Sequence, residues 1–84
     1  MDISFHKNAF EDYVFFQRND KKLANKVNNL LKSIQREPFS GIGKLEPLKH
    51  NLTGFWSRRI NQEHRIVYTI KANTIYVLQC KYHY

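Results

Sequence analysis

Thr53 to Tyr82 reads TGFWSRRINQEHRIVYTIKANTIYVLQCKY. Three runs in it are rich in β-branched and aromatic residues: Thr53 to Ile60, Arg65 to Lys71 and Thr74 to Tyr82. Polar turn material separates them, Asn61-Gln62-Glu63-His64 and then Ala72-Asn73. Short runs of this composition bounded by such turns read as consecutive strands, so the stretch predicts a three-stranded antiparallel meander. Alternation then sorts the side chains, because successive residues of a strand point to opposite faces. Ile66, Tyr68 and Ile70 form an apolar set that predicts the core face, which sends Arg65 to the other side. In the last run Tyr76, Leu78, Cys80 and Tyr82 read as the better core set, which puts Val77, Gln79, Lys81 and His83 on the open face. Arg59 shares its parity with Phe55 and Ser57, and that parity does not decide its direction.

Upstream, the period changes. Leu23, Val27, Leu30, Leu31 and Ile34 fall at i, i+4, i+7, i+8 and i+11, the mark of a helix with one apolar stripe. Lys21, Lys22, Lys26, Lys32 and Arg36 line its other side, Asp20 can cap its start, and Pro38 ends it. Before it, Phe10, Tyr13, Val14 and Gln17 predict a first helix, widened by Phe15 and Phe16 into a mostly buried one. Asn8 with Glu11 three residues on has the capping-box pattern. Ile3-Ser4-Phe5 alternates as a short first strand. The expected order is β-α-α-β-β-β: an α+β domain, with a twisted, mainly antiparallel sheet and an αα-hairpin packed on one face. Pro38 to Leu52 is left as a long loop, and long ordered loops tend to carry function.

The chain has 84 residues, room for one domain spanning 1–84 with one thin core. Its net charge is +7, and the C-terminal half is the basic one. Residues 1–43 hold seven basic and five acidic residues, whereas residues 44–84 hold seven and two. That imbalance favours a polyanionic partner such as RNA. Charge alone would equally suit an acidic protein. The single cysteine, Cys80, excludes an internal disulfide and fits a reducing compartment. No run approaches the length of a signal or membrane-spanning segment, so a cytoplasmic protein is expected.

Glu46 to Tyr68, together with Cys80 to Tyr84, gathers two carboxylates, three of the four histidines and three arginines. That mixture suits cleavage of RNA without a metal. A base removes the 2′-OH proton, an acid protonates the leaving 5′ oxygen, and a cation stabilises the charge that builds on the phosphate. Glu46, flanked by Lys44 and Lys49, is the candidate base, although a loop carboxylate is most often merely solvated. Glu63 is its rival and reads more simply as a hairpin residue. His83 is the candidate acid, because imidazole titrates near neutrality. Arg65 is the cation best placed by parity. Arg58, Arg59 and Lys49 can hold flanking phosphates. Phe55, Trp56, Tyr82 and Tyr84 can stack on bases, with Trp56 better suited to the core. Cys80 and His83 have metal-like C-x-x-H spacing, which His50 and His64 would have to complete; without a second close pair the metal reading is weak, and no cofactor is expected.

The run EPLKHNLTGFWSRRINQEHRIVY with a chain end in CKYHY, the aromatic EDYVFFQ segment and the loop REPFSGIGKLEPLKH closely resemble the YoeB (Txe) toxins of bacterial toxin–antitoxin modules, in the RelE/ParE superfamily. The resemblance covers the whole chain and departs from the family at Leu45, where proline is usual. It implies a ribosome-dependent endoribonuclease that cuts mRNA in the ribosomal A site. It implies Glu46 as general base, His83 as general acid and Arg65 as transition-state cation. Tyr84 would position the substrate, with Lys49 and Arg59 supporting phosphate or ribosomal RNA binding. It further implies a cognate YefM/Axe-like antitoxin with an acidic tail, a homodimer, and contact with operator DNA through the antitoxin. Two non-enzymatic readings stand beside it, a ParE-like gyrase poison and a basic RNA-binding module. Both would be indifferent to Glu46 and His83.

Overall fold

A computed structural model describes residues 1–81; Tyr82, His83 and Tyr84 lie outside the described residues. The elements are β1 (Asp2–Phe5), α1 (Lys7–Asn19), α2 (Lys21–Arg36), β2 (Glu46–Pro47), a 3-10 turn (His50–Leu52), β3 (Trp56–Arg59), β4 (Arg65–Lys71) and β5 (Thr74–Gln79). They build one five-stranded sheet in the order β1-β5-β4-β3-β2. Only the β1–β5 pairing is parallel; β2 to β5 run antiparallel to their neighbours. The expected α+β architecture is the one found, with both helices on one face of the sheet.

The core lies between that face and the helices. Ala24, Val27, Leu30, Leu31 and Ile34 of α2 meet Ile66 and Tyr68 of β4 and Ile75 and Val77 of β5. Asp20 caps α2 as expected, its carboxylate accepting from the Leu23 N–H at 3.1 Å. The first helix differs from expectation. His6, not Asn8, precedes its first turn, and the His6 Nδ1 accepts from the Asn8 N–H at 3.2 Å. The buried stripe of α1 runs through Ala9 and Phe16, while Phe10 and Phe15 stay 52% and 48% exposed. The long aromatic run masked the smaller Ala9, which lets α1 approach the sheet closely.

The meander is present with shorter first and last strands than the sequence suggested. Ala72 and Asn73 take φ of +49° and +58°, the left-handed pair of a two-residue hairpin turn. The parity expected for β4 holds: Ile66 and Tyr68 are buried in the core, and Ile70 packs against it. The parity expected for β5 does not. Ile75 and Val77 face the core, whereas Tyr76 is exposed. The cause is a bulge. Tyr68 pairs with Val77 but Val67 pairs with Gln79, so Leu78 is an extra residue on β5. One inserted residue exchanges the two faces beyond it, so Cys80 is buried after all. The direction expected for His83 rested on the unbroken parity and falls outside the described residues.

Candidate active site on the open face of the sheet

The loop after α2 is held by Arg58. Its side chain is fully buried on the helix-facing side of β3, and each of its five N–H groups has an acceptor. Nε donates to the Tyr68 hydroxyl at 3.1 Å. Nη1 donates to Ser33 Oγ at 2.9 Å and to the Ile42 carbonyl at 3.2 Å. Nη2 donates to the carbonyls of Glu37 at 2.7 Å and Ser40 at 2.6 Å. Arg58 therefore does not hold a flanking phosphate, as the sequence had allowed. Its guanidinium is used up in folding residues 37–42 against α2. The Tyr68 hydroxyl donates onward to the Pro38 carbonyl at 2.7 Å, and burial pushes its pKa up.

With that loop fixed, the chain re-enters the sheet at Glu46. This is the strand that sequence reasoning read as loop, because two residues ending in proline carry no strand periodicity. Glu46 pairs with Ser57, Ser57 with Val67, and Val67 with Gln79. The four residues form a row across β2, β3, β4 and β5. Arg59 pairs with Arg65 two residues along the same strands. Cross-strand partners share a face, and residues two apart share it too. Since Arg58, Ile66 and Tyr68 take the helix side, Glu46, Ser57, Arg59 and Arg65 all lie on the other. The ambiguity over Arg59 is thereby resolved. Two strand spacings and two residues of rise separate Glu46 from Arg65, roughly 12 Å between Cα atoms. Side chains of this length can converge on one phosphate across that gap.

Lys49 is exposed just past β2, in a segment whose residues 46–52 line a pocket of about 480 Å³. The Leu48 N–H donates to the Phe55 carbonyl at 3.0 Å, which ties this segment to β3. Two polar atoms on the open face stand out. Ser57 Oγ and Arg59 Nε are buried and make no hydrogen bond among the described residues. Buried polar atoms are nearly always paired, so these two set Ser57 and Arg59 apart from the rest of the face. Arg59 and Arg65 stand directly opposed across β3 and β4, which concentrates positive charge on this part of the open face. Ser57 and Gln79 entered the sequence reading only through their parity, not as candidates for the site. Only the register of the sheet sets Ser57 beside Glu46 and Gln79 at the far end of the same row.

The other candidates separate. Glu63 is exposed and lies 3.5 Å from His64, in the hairpin role the sequence favoured. His64 is buried with its ring 5.3 Å from that of Phe16, and His50 is exposed in the 3-10 turn. Among the described residues no group of three or more His, Cys, Asp or Glu could hold a metal ion. Trp56 is half-buried, packed on the core and on Phe39 with 5.2 Å between rings. His83, the proposed acid, and Tyr84 lie outside the described residues.

Residues 5–84 match the profile of the YoeB-like toxins of bacterial type II toxin–antitoxin systems. The curated "Toxin YoeB" of Synechocystis is 55% identical over 84 residues, covering 100% of this chain and 98% of that one. The "Toxin YoeB" of Escherichia coli K12 is 46% identical with both chains covered in full. Among solved structures, the YoeB dimer from Staphylococcus aureus is 59% identical, covers 100% of this chain and 98% of its own, and superposes with a TM-score of 0.93. The YoeB–YefM complex from the same organism is 58% identical at the same TM-score and coverage. YafQ from E. coli, at 16% identity and a TM-score of 0.76, shares the fold alone. The chain belongs to the YoeB-like toxins of type II toxin–antitoxin systems.

Proposed function

We propose that the chain is a ribosome-dependent endoribonuclease that cuts mRNA in the ribosomal A site. The observation that carries this reading is the register that sets Glu46, opposite Ser57, on one face with the opposed pair Arg59 and Arg65. Glu46 takes the proton of a ribose 2′-OH. The freed oxygen attacks the adjacent phosphorus while the bond to the 5′ oxygen breaks. Arg65, with Arg59 beside it, stabilises the charge on the non-bridging oxygens. His83 gives its proton to the departing 5′ oxygen. The products are a 2′,3′-cyclic phosphate and a 5′-OH, and no metal or cofactor takes part. Lys49 holds a flanking phosphate, and Tyr84 orients the substrate by stacking. The opposed Arg59 and Arg65 support an oxygen-rich anion at this place.

The same basic surface attracts an acidic partner. By analogy with the S. aureus YoeB dimer and YoeB–YefM complex, the protein forms a homodimer and is neutralised by a cognate antitoxin. That antitoxin carries an acidic tail and supplies the contacts to operator DNA. The toxin acts in the cytoplasm, where ribosomes are.

The test is programmed ribosomes incubated with wild type, Glu46→Ala and His83→Gln. Wild type should cut in the A site and leave 2′,3′-cyclic ends, and both variants should fold and leave mRNA whole. Intact mRNA with the wild-type protein sinks the proposal. Inhibition of gyrase supercoiling in its place would support a ParE-like poison.

A further inference from the structure

A second pocket, of about 500 Å³, opens on the same sheet face but at the opposite end of β4 from Arg65. Ser4, Tyr76 and Thr69 form a row there across β1, β5 and β4, since Ser4 pairs with Tyr76 and Tyr76 with Thr69. Phe55, Lys71 and His6 complete the lining that matters here. Tyr76 is 41% exposed although it lies mid-strand. Because the His6 Nδ1 accepts from the Asn8 N–H, a neutral His6 carries its proton on Nε2 and offers a donor. The pocket thus combines two aromatic rings, a hydroxyl, an imidazole donor and an ammonium. Aromatic rings stack on unpaired bases whatever their identity, and a lysine beside them meets the phosphate.

Resting on the ribonuclease reading above, we propose that this pocket is a nucleotide subsite for the mRNA outside the cleaved step, with Tyr76 stacking on an unpaired base and Lys71 meeting its phosphate. Continuity decides the occupant. The outward residues of β4 run Arg65, Val67, Thr69, Lys71, so one strand on this face passes both sites. Six residues of rise make the separation roughly 20 Å, a few nucleotides of extended chain. Size agrees, because the volume falls in the range of sites for single small molecules. An antitoxin helix would need a long apolar groove, whereas this is a compact pocket with a cation at its rim.

The experiment compares wild type, Tyr76→Ala, Tyr76→Phe and Lys71→Gln on programmed ribosomes, with mRNAs carrying one abasic residue at successive positions on either side of the cut. Tyr76→Ala should raise KM roughly tenfold with kcat little changed. Tyr76→Phe should restore it, and one abasic position should reproduce the defect in wild type without adding to it in Tyr76→Ala. Unchanged KM in Tyr76→Ala, or no position showing that non-additivity, overturns the subsite. A Tyr76→Ala defect confined to neutralisation by antitoxin assigns the pocket to that partner and overturns it too. If the wild type cuts nothing, the catalytic reading fails separately. Fluorescence anisotropy of a short single-stranded RNA then decides the pocket: weaker binding to Tyr76→Ala than to wild type upholds it, and equal binding refutes it.

Discussion

Arg58 Nη1 donates to Ser33 Oγ at 2.9 Å, joining the third strand to the second helix across 25 residues of sequence. Among the described residues no carboxylate accepts from this guanidinium. Its charge is met by the carbonyl dipoles of Glu37, Ser40 and Ile42 and by two hydroxyls. The loop that leads to Glu46 is therefore wrapped around a buried cation.

Arg58→Ala takes a donor from three backbone carbonyls and two hydroxyls, of which the Tyr68 hydroxyl keeps its bond to Pro38 and the Glu37 carbonyl its bond from the Ser40 N–H. Each buried acceptor left unsatisfied costs about 1–3 kcal/mol, so the change takes a large part of the stability of so small a domain. Arg58→Lys should recover little of it, because three donors on a tetrahedral head cannot reproduce a planar fork of five. Arg59→Ala, one residue on but facing outward, should stay within about 1 kcal/mol of wild type in urea denaturation. Equal loss for Arg58→Ala and Arg59→Ala would refute this division of labour.

That pair also shows what was legible in the sequence. The periodicity of α2 and the alternation of β4 gave the helix pair and the meander, because each is a local pattern backed by burial. Arg58 followed from the same alternation. It shares parity with Trp56 and Ile60, but its charge argued for solvent and phosphate. What overrode charge was a set of acceptors brought from residues 33 to 42, a distance that no window of sequence spans. The bulge at Leu78 and the two-residue strand at Glu46 were hidden for the same reason. Each depends on a pairing partner and not on its own composition. Of the proposed catalytic set, Glu46 was singled out by residue type and Arg65 by the parity of its strand, but their sharing of one face came from register.

Gly43 should be far less replaceable than Gly54. Both have positive φ, +94° and +95°, so a side chain at either costs of order 1–2 kcal/mol in backbone strain. A Cβ at Gly43 would also lie 2.8 Å from Leu30 Cδ2 and 3.1 Å from Arg58 Cβ, whereas Gly54 has open space. Gly43→Ala should lose a further 1–3 kcal/mol or so by overpacking. The Gly43 carbonyl accepts from the Arg59 N–H, so displacement of this loop should also slow cleavage. Thermal melts and cleavage rates of the two alanine variants check both statements, and matching melts would count against the steric argument.

Burial pushes the Cys80 thiol from 9.0 up to about 12, with Asp12 nearby adding to the rise. A group whose pKa is raised on folding contributes stability that is fully present below its unfolded value. Here that contribution is lost as pH climbs from 9 towards 12, at about 1.4 kcal/mol per unit. At pH 7.5, Cys80→Ala should be the less stable protein because it leaves a cavity. By pH 10.5 the gap should narrow or reverse, since only wild type bears the thiol penalty. Urea unfolding of both at the two pH values is the measurement, and a gap independent of pH would reject the burial assigned to Cys80.

Asp12 of α1 is hydrogen-bonded to the Cys80 backbone, and the Lys81 ammonium lies 4.4 Å from the centre of the Phe15 ring. The first helix thus holds the chain two residues before His83. Desolvation raises the Asp12 carboxyl above 3.8, and the charge of Lys81 pulls it partly back. With a raised pKa, the stability this group contributes is complete below 3.8 and declines as pH rises through the folded value, so the ionised form at neutral pH is held at a cost. Asp12→Asn removes that cost while keeping the shape. It should match or exceed wild type in stability at pH 7, with the advantage shrinking on acidification. It should nevertheless cut mRNA roughly tenfold more slowly, because a neutral amide neither attracts Lys81 nor binds the Cys80 N–H as strongly. Asp12→Glu, which keeps the charge, should recover part of the rate. Full activity in Asp12→Asn would show that the tail finds its place without α1.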